Sequence, residues 1–307
     1  MIILLRQYLT LIRLPSMFTA PTNVLAGYFS AITPQDANST HLLSLMISSV
    51  LLYMAGMVLN DYFDIQADKK ERPSRPLASG AIKKRNALVV ALAALATANI
   101  ILLVMVNLAS FVISITLSGI IVVYNFRLKR NIIAGSLSMG SARFLNVILG
   151  ASPILSIILL QNSDEMKLSD SLVVFVAAAS MFAYVIAIMT LSKREVIGGG
   201  RQDHLTAFLI VIAILASVGV LGFILQFQPT FMINLSLFAA VMIFTFRRYL
   251  AAESSAELLQ KAVRNMVVSI IILDSVFVSG AAGLIYGTGT LLFIIPAVVL
   301  AKKMYVT

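Results

Sequence analysis

Residues 42–68, LLSLMISSVLLYMAGMVLNDYFDIQAD, join an apolar run to a dense group of carboxylates. The apolar part is long enough to cross a bilayer as a helix, which takes roughly 20 residues. The polar part carries Asn60, Asp61, Asp64 and Asp68, and spacings of three and four place such residues on one side of a helix. This stretch therefore predicts a membrane helix that ends in an acidic cluster.

The rest of the chain consists mainly of further apolar runs. Of its 307 residues, 60% are hydrophobic and 12% are charged, a composition that excludes a soluble domain. The runs are continuous rather than alternating, which favours helices over a β-barrel. Cysteine is absent, so disulfides and thiolate metal sites are excluded. Ten segments are candidate spans: 14–33, 42–63, 86–107, 109–126, 132–159, 171–192, 205–226, 230–249, 264–286 and 289–302.

The last candidate span, 289–302, is short. Two interpretations remain open: a half-span, or a continuation of the ninth span across a kink at Gly287-Thr288-Gly289. In either case we predict an all-α, polytopic membrane protein, a bundle of 9–10 transmembrane helices that forms a single domain over residues 1–307.

The basic residues are distributed unevenly along the chain, which has a net charge of +10. With the N-terminus in the cytoplasm, every Lys and Arg except Lys167 and Arg143 lies in or beside a predicted cytoplasmic segment. Positive charge is retained on the cytoplasmic side of membrane proteins. We therefore predict a cytoplasmic-membrane protein with both termini and the motif loops on the cytoplasmic side. We also predict that the excess basic residues contact membrane lipids rather than nucleic acid.

The acidic cluster needs a positive partner. Carboxylates stacked at the end of a membrane helix repel one another unless a cation lies among them. A hard divalent ion with oxygen ligands fits, and Mg²⁺ usually takes one or two carboxylates with water and phosphate oxygens. We therefore predict a Mg²⁺ site at Asn60, Asp61, Asp64 and Asp68.

The loop after the cluster carries more cations than membrane orientation requires. Arg72 and Arg75 lie in the segment Arg-Pro-Ser-Arg-Pro, where the prolines stiffen the backbone. Guanidinium groups bind phosphate with two hydrogen bonds each. Beside a metal site, this loop predicts phosphate binding.

Two charged residues lie deep within predicted spans. Arg143 and Asp274 fall at matching depths of the fifth and ninth spans, and charges at such depth face the protein interior. Two interpretations remain open. The residues form a salt bridge with each other, or Arg143 binds a ligand while Asp274 orients it. Asn146, three residues after Arg143, belongs to the same polar wall.

At these residues the chain resembles the UbiA superfamily of intramembrane prenyltransferases. Asn60, Asp61, Asp64 and Asp68 match the family's N-D-x-x-D-x-x-x-D motif, and ERPSRPLASG resembles its continuation. Similar stretches are Tyr124-Asn125-Phe126-Arg127-Leu128-Lys129-Arg130 and Gly140-Ser141-Ala142-Arg143-Phe144-Leu145-Asn146, with a looser likeness at Arg13-Leu14-Pro15 and Asn23.

The resemblance implies a helical bundle around a central cavity that opens to lipid. It implies Mg²⁺-dependent ionisation of a prenyl diphosphate and capture of the allylic cation by an aromatic, polyol or lipid acceptor. It also implies that Lys129 binds the diphosphate and that Asn23, Tyr124 and Asn146 line the cavity. In the second interpretation of Arg143, the ligand that it reaches is then the diphosphate or the acceptor, with Asp274 orienting it. Such a cavity protects a carbocation from water.

The chain departs from the family at the second aspartate-rich motif, D-x-x-x-D. Residues 192–204 here read SKREVIGGGRQDH, with only Glu195 and Asp203 as carboxylates. Three explanations remain open. Glu195 and Asp203 form a reduced second site; Lys193, Arg194 and Arg201, with the glycine backbone, replace part of the metal's charge; or the chain binds an isoprenoid without turnover.

We accordingly expect a prenyltransferase, with two alternatives. A UbiA-type terpene cyclase would attack the allylic cation with its own double bonds. A non-catalytic isoprenoid binder or transporter would release no pyrophosphate.

Overall fold

A computed structural model describes residues 2–161, 168–192, 201–250 and 256–305. Within these ranges the chain is helical without any strand, which confirms the predicted all-α class. The helices are α1 Ile2–Leu11, α2 Leu14–Met17, α3 Thr19–Ala31, α4 Ser39–Glu71, α5 Lys84–Met105, α6 Leu108–Phe126, α7 Ile132–Gln161, α8 Leu168–Ser192, α9 Arg201–Ile224, α10 Phe231–Leu250, α11 Ala256–Ala282, α12 Leu284–Leu291 and α13 Ile294–Tyr305, with a 3-10 helix at Leu128–Arg130.

Most of the predicted spans are present as long apolar helices. Eight segments of the described chain are long and apolar enough to cross a membrane. Two predicted spans are shorter: α10 contributes the apolar segment Phe231–Arg247, and the span predicted at 14–33 is divided between α2 and the 13-residue α3. Large apolar side chains such as Val104 point outward and are exposed, as expected of faces that contact lipid. The chain is a multi-pass membrane protein.

The last membrane segment differs from the prediction. The break after α11 falls at Gly283, whose φ of +93° suits a residue without a Cβ atom. Gly287 and Gly289 lie inside α12, so the kink predicted at Gly-Thr-Gly is wrong. α12 and α13 together form one apolar segment, Leu284–Lys302, that begins earlier than residue 289.

α3 is the buried centre of the bundle and contacts α4, α7, α8 and α11. Every residue from Thr19 to Ser30 is buried. Glycines allow α3 and α7 to touch backbone to backbone: a Cβ atom at Gly27 would collide with the carbonyl oxygen of Val147, and one at Gly150 would collide with that of Val24. Small residues serve this purpose between membrane helices. The close contact brings the polar side chains of α3 against those of α7.

The chain turns sharply between α1 and α2. Arg13 adopts a left-handed backbone conformation, with φ 48° and ψ 54°, and Pro15 starts the following helix. This conformation costs a residue with a Cβ atom about 1–2 kcal/mol. The turn directs the Arg13 side chain towards Asp61 at the end of α4, where Nη2 lies 3.6 Å from Oδ1. Such strain is characteristic of functional sites.

Candidate active site

The acidic cluster lies on the last turns of α4, and two of its carboxylates share one guanidinium. Asp61 and Asp68 are two turns apart on the same face and are buried. Nη1 of Arg75 donates to Oδ1 of Asp61 at 3.2 Å and to Oδ2 of Asp68 at 2.8 Å. Arg75 belongs to the segment directly after α4, whose Arg72 N–H makes the last helical bond, to the Asp68 carbonyl.

The third carboxylate has a separate cation. Asp64 is less buried than its neighbours, and Nζ of Lys129 lies 2.7 Å from its Oδ1. The same amine donates to the backbone carbonyl of Asn60 at 3.3 Å and to its side-chain oxygen at 3.4 Å. Lys129 is held in the 3-10 helix, against which Gly135 of α7 packs closely. The four residues predicted as one ligand group therefore divide into two cation-bound sets.

The cluster is close to neutral as folded. Three carboxylates, Asp61, Asp64 and Asp68, contact three cations, Arg13, Arg75 and Lys129. Partly buried carboxylates need such partners, because an uncompensated charge in this environment is costly. Arg75 and Lys129, predicted to bind phosphate, thus also stabilise the carboxylates. Arg13 was not assigned to the site from the sequence; the signal available was a cation beside a proline at the start of the first span.

The donor chemistry of the cluster fits Mg²⁺. Asn60, Asp61, Asp64 and Asp68 offer only oxygen ligands, the kind that this ion prefers. Among the described residues, no group of three or more His, Cys, Asp or Glu could hold a metal ion. That does not conflict with Mg²⁺, which commonly uses one or two carboxylates and completes its shell with phosphate and water. Arg75 contacts both Asp61 and Asp68, so one positive centre between these carboxylates is sterically feasible.

A cavity of about 330 Å³ begins at this cluster and extends between α3, α4, α6, α7 and α8. Asn60 and Arg13 line the end near the carboxylates, and Arg143 and Asn146 line the deeper part. Most of the wall between them is apolar. Tyr124, Arg143 and Asn146 therefore lie where the sequence predicts cavity residues.

Asn23 and Asp274 form the layer behind the cavity wall. Both are buried. Nδ2 of Asn23 donates to the two carboxylate oxygens of Asp274 at 3.0 and 2.8 Å. Its Oδ1 accepts from Nη1 of Arg143 at 2.8 Å. The salt bridge considered between Arg143 and Asp274 is thus replaced by a chain through Asn23, because α3 lies between α7 and α11.

A second, more polar cavity of about 720 Å³ adjoins the cluster on the other side of Arg13. Its wall includes a surplus of cations. The charged residues that line it are Arg13, Asp61, Arg72, Arg75, Glu257, Lys261 and Arg264. Arg72 and Arg264 make no ion pair with a described carboxylate, whereas Lys261 pairs with Glu257 at 2.5 Å. Arg72 and Arg75, predicted together as phosphate-binding residues, both line this groove, but only Arg75 also pairs with the carboxylates of the cluster.

The altered second motif lies largely outside the described residues. The residues outside the described ranges include Lys193, Arg194 and Glu195, and the side chain of Arg201 is not described either. Asp203 lies in the first turn of α9. Ser192, the last residue of α8, lines the cavity of about 330 Å³.

Comparisons of sequence identify one family. A profile described as "UbiA prenyltransferase family" matches residues 21–271. A digeranylgeranylglyceryl phosphate synthase from Methanococcoides burtonii is 35% identical over 143 residues, 44% of this chain and 50% of the relative. One from Sulfurisphaera tokodaii is 28% identical over 145 residues, 47% of this chain and 51% of the relative. The matched part spans about half the length of these curated relatives.

The fold matches solved structures over most of the chain. A digeranylgeranylglyceryl phosphate synthase superimposes with a TM-score of 0.63 at 19% identity, covering 92% of this chain and 99% of the other. A UbiA homologue from Archaeoglobus fulgidus bound to GPP and Mg²⁺ gives a TM-score of 0.60 at 15% identity, covering 93% and 99%. At these identities the likeness is one of fold.

Proposed function

Because the chain belongs to the UbiA prenyltransferase family, we propose that it ionises a prenyl diphosphate in a Mg²⁺-dependent reaction and transfers the prenyl group to a small acceptor. One observation carries this proposal. A cluster of three carboxylates and three cations stands at the end of an apolar cavity within the bundle. The departing diphosphate needs the charged groups, and the allylic cation with its apolar prenyl chain needs a space without water, so the reaction requires those two environments side by side.

Asn60, Asp61, Asp64 and Asp68 hold Mg²⁺ in this proposal. The metal supplies Lewis-acid stabilisation of the departing diphosphate. The chain's own cations have a second task. With a metal bound to the carboxylates, the cations that now pair with them, Arg75 and Lys129 among them, would be free to contact phosphate oxygens.

Residues on both sides of the cluster complete the diphosphate site. Arg13 reaches it from the turn before α2, and Arg72 approaches from the adjoining groove. The bond between the prenyl C1 atom and the diphosphate oxygen breaks, and its electron pair leaves with the oxygen. Positive groups fixed around that oxygen stabilise the developing charge without having to reorganise.

The cavity receives the allylic cation and the acceptor. Its apolar wall excludes water, which would otherwise capture the cation. The ring of Tyr124 lines this space, and the negative face of an aromatic ring stabilises a cation. The acceptor's carbon or oxygen then bonds to C1, and the acceptor loses a proton.

The names of the relatives favour one acceptor class. They are digeranylgeranylglyceryl phosphate synthases, which points to a lipid alcohol rather than an aromatic ring or a free polyol. Glu195 and Asp203, with Lys193, Arg194 and Arg201, stay a prediction for the second part of the site. The single domain over residues 1–307 and the cytoplasmic position of the motif loops also stay predictions.

Product analysis tests this proposal. Purified protein is incubated with Mg²⁺, prenyl diphosphates of several lengths and a panel of lipid alcohols, polyols and aromatic acceptors, and products are identified by mass spectrometry. We expect a prenylated acceptor and stoichiometric pyrophosphate. Hydrocarbon formed without acceptor would instead indicate a terpene cyclase, and bound diphosphate without pyrophosphate release would indicate a binder or transporter.

A further inference from the structure

Arg143 is a charged side chain deep in the bundle that uses only part of its hydrogen-bonding capacity. Nη1 donates to the Thr19 carbonyl at 3.1 Å and to Oδ1 of Asn23 at 2.8 Å, and Nη2 donates to the Thr19 hydroxyl at 2.9 Å. A guanidinium carries five N–H donors. No described residue accepts from the remaining Nη2–H and Nε–H, and the side chain lines the cavity of about 330 Å³.

Arg143 lies deeper in the bundle than the carboxylates proposed to hold the diphosphate through Mg²⁺. Its guanidinium carbon is 5.5 Å from the centre of the Tyr53 ring. Tyr53 precedes Asp61 by two turns of α4, about 12 Å at 1.5 Å per residue. The carboxylates that hold the diphosphate through Mg²⁺ lie at Asp61 and beyond. The ligand of Arg143 is therefore a different part of the bound substrates.

Arg143 has an acidic partner behind the cavity wall. Both carboxylate oxygens of Asp274 accept from Asn23, whose own side-chain oxygen accepts from Arg143, so a buried acid and a buried base are linked across α3. A buried cation with a nearby counter-ion does not need an anionic ligand, and a second anion there would itself be uncompensated. The cavity at this depth thus offers N–H donors of a guanidinium that already has a carboxyl group behind it.

We propose that Arg143 binds the acceptor substrate through an uncharged oxygen, a hydroxyl or a carbonyl group, and that Asn23 and Asp274 position its guanidinium for this contact. The proposal rests on the proposed function and specifies which part of the acceptor enters the membrane-embedded cavity. Any anionic group of the acceptor stays outside it, near the cations of the cluster or of the groove.

Direct binding measurements test this without turnover. The probes are two matched pairs: 4-hydroxybenzyl alcohol with 4-hydroxybenzoate, and 1-O-hexylglycerol with 3-hexyloxypropanoate. Each pair compares an uncharged ligand with a carboxylate of similar size. Dissociation constants are measured on the full-length detergent-solubilised protein, for the wild type, Asp274→Asn and Arg143→Gln. Asp36→Asn, at a residue outside α3 and α4, makes the same chemical change remote from the cavity.

In at least one pair we expect the wild type to bind the alcohol more tightly than the carboxylate. Asp274→Asn should shift that ratio towards the carboxylate by about tenfold or more, the effect of one charge-assisted hydrogen bond. Asp36→Asn should leave it unchanged. A merely structural role of Asp274 would weaken both ligands alike. A wild-type preference for the carboxylate, an unchanged ratio in Asp274→Asn, or no binding of any probe would overturn the proposal.

Arg143→Gln gives an independent measurement if Asp274→Asn does not fold. We expect it to weaken alcohol binding about tenfold, while binding of geranyl diphosphate with Mg²⁺ changes less than about twofold, since additivity holds for separate sites. Equal losses for both ligands would contradict the assignment. Failure of the proposed function is distinguishable, because it would appear as an absence of prenylated product while these affinities still follow the expected pattern.

Discussion

Replacing Arg75 by methionine tests whether a guanidinium and Mg²⁺ compete for the same carboxylates. Nη1 of Arg75 lies 3.2 Å from Asp61 and 2.8 Å from Asp68. A metal ion that binds these carboxylates must displace it. Methionine keeps much of the side-chain length and removes the charge. We therefore expect free Mg²⁺, without prenyl diphosphate, to bind the Arg75→Met protein more tightly than the wild type.

The size of the effect follows from burial. The side chains of Arg75, Asp61 and Asp68 are 19%, 5% and 8% exposed, so solvent screens their interaction only weakly. A hydrogen bond between charged groups contributes about 1.5–3 kcal/mol. Arg13 stays near Asp61 and offsets part of the loss. Removing one such competing interaction should lower the dissociation constant for Mg²⁺ about tenfold or more.

Thermal unfolding of the detergent-solubilised protein against Mg²⁺ concentration measures this affinity. A ligand that binds only the folded state stabilises it by about 2.7 kcal/mol at 100 times its dissociation constant. Arg72→Met is the matched control, since Arg72 carries the same charge three residues earlier and pairs with no described carboxylate. If Arg75→Met needs as much Mg²⁺ as Arg72→Met for half-maximal stabilisation, or more, the competition does not exist.

Two further substitutions probe the site and the fold. Asp64→Asn and Asp68→Asn should each abolish Mg²⁺-dependent pyrophosphate release from geranyl diphosphate. Glu71→Gln, at the exposed end of the same helix, should keep this activity. Activity retained in both asparagine variants would contradict the assignment of these residues to the metal. Gly150→Leu should destabilise the bundle by about 3 kcal/mol or more, because its side chain must enter the contact between α3 and α7. Gly119→Leu, with open space around it, should be nearly neutral, and equal unfolding midpoints for the two leucine variants would refute that reason.

The sequence predicts α4 and its carboxylates, but it does not predict which cations pair with those carboxylates. A long apolar run and carboxylates three and four residues apart predict a helix with Asp61, Asp64 and Asp68 near its end, and the structure has this arrangement. The cations that pair with them come from distant segments, such as Lys129. No local pattern specifies such pairs, because they depend on how the helices pack.

The same distinction applies deeper in the bundle. The cost of burying a charge predicts that Arg143 and Asp274 face inward. It does not predict that Asn23 lies between them, which follows from the close approach of α3 to α7 at Gly27 and Gly150. The role of Arg13 depends on a left-handed turn, and neighbouring residues do not indicate that conformation.

Arg13 has a consequence for how ligands at the two cavities influence each other. Its guanidinium belongs to the wall of both the apolar cavity and the polar groove. In the proposed reaction, an anion in the groove and a diphosphate at the cluster would both contact this one group, so we expect binding of either to change the affinity for the other. Such coupling would be reciprocal by thermodynamic necessity. The strained turn before α2, which places Arg13 between the two cavities, would then link their occupancies.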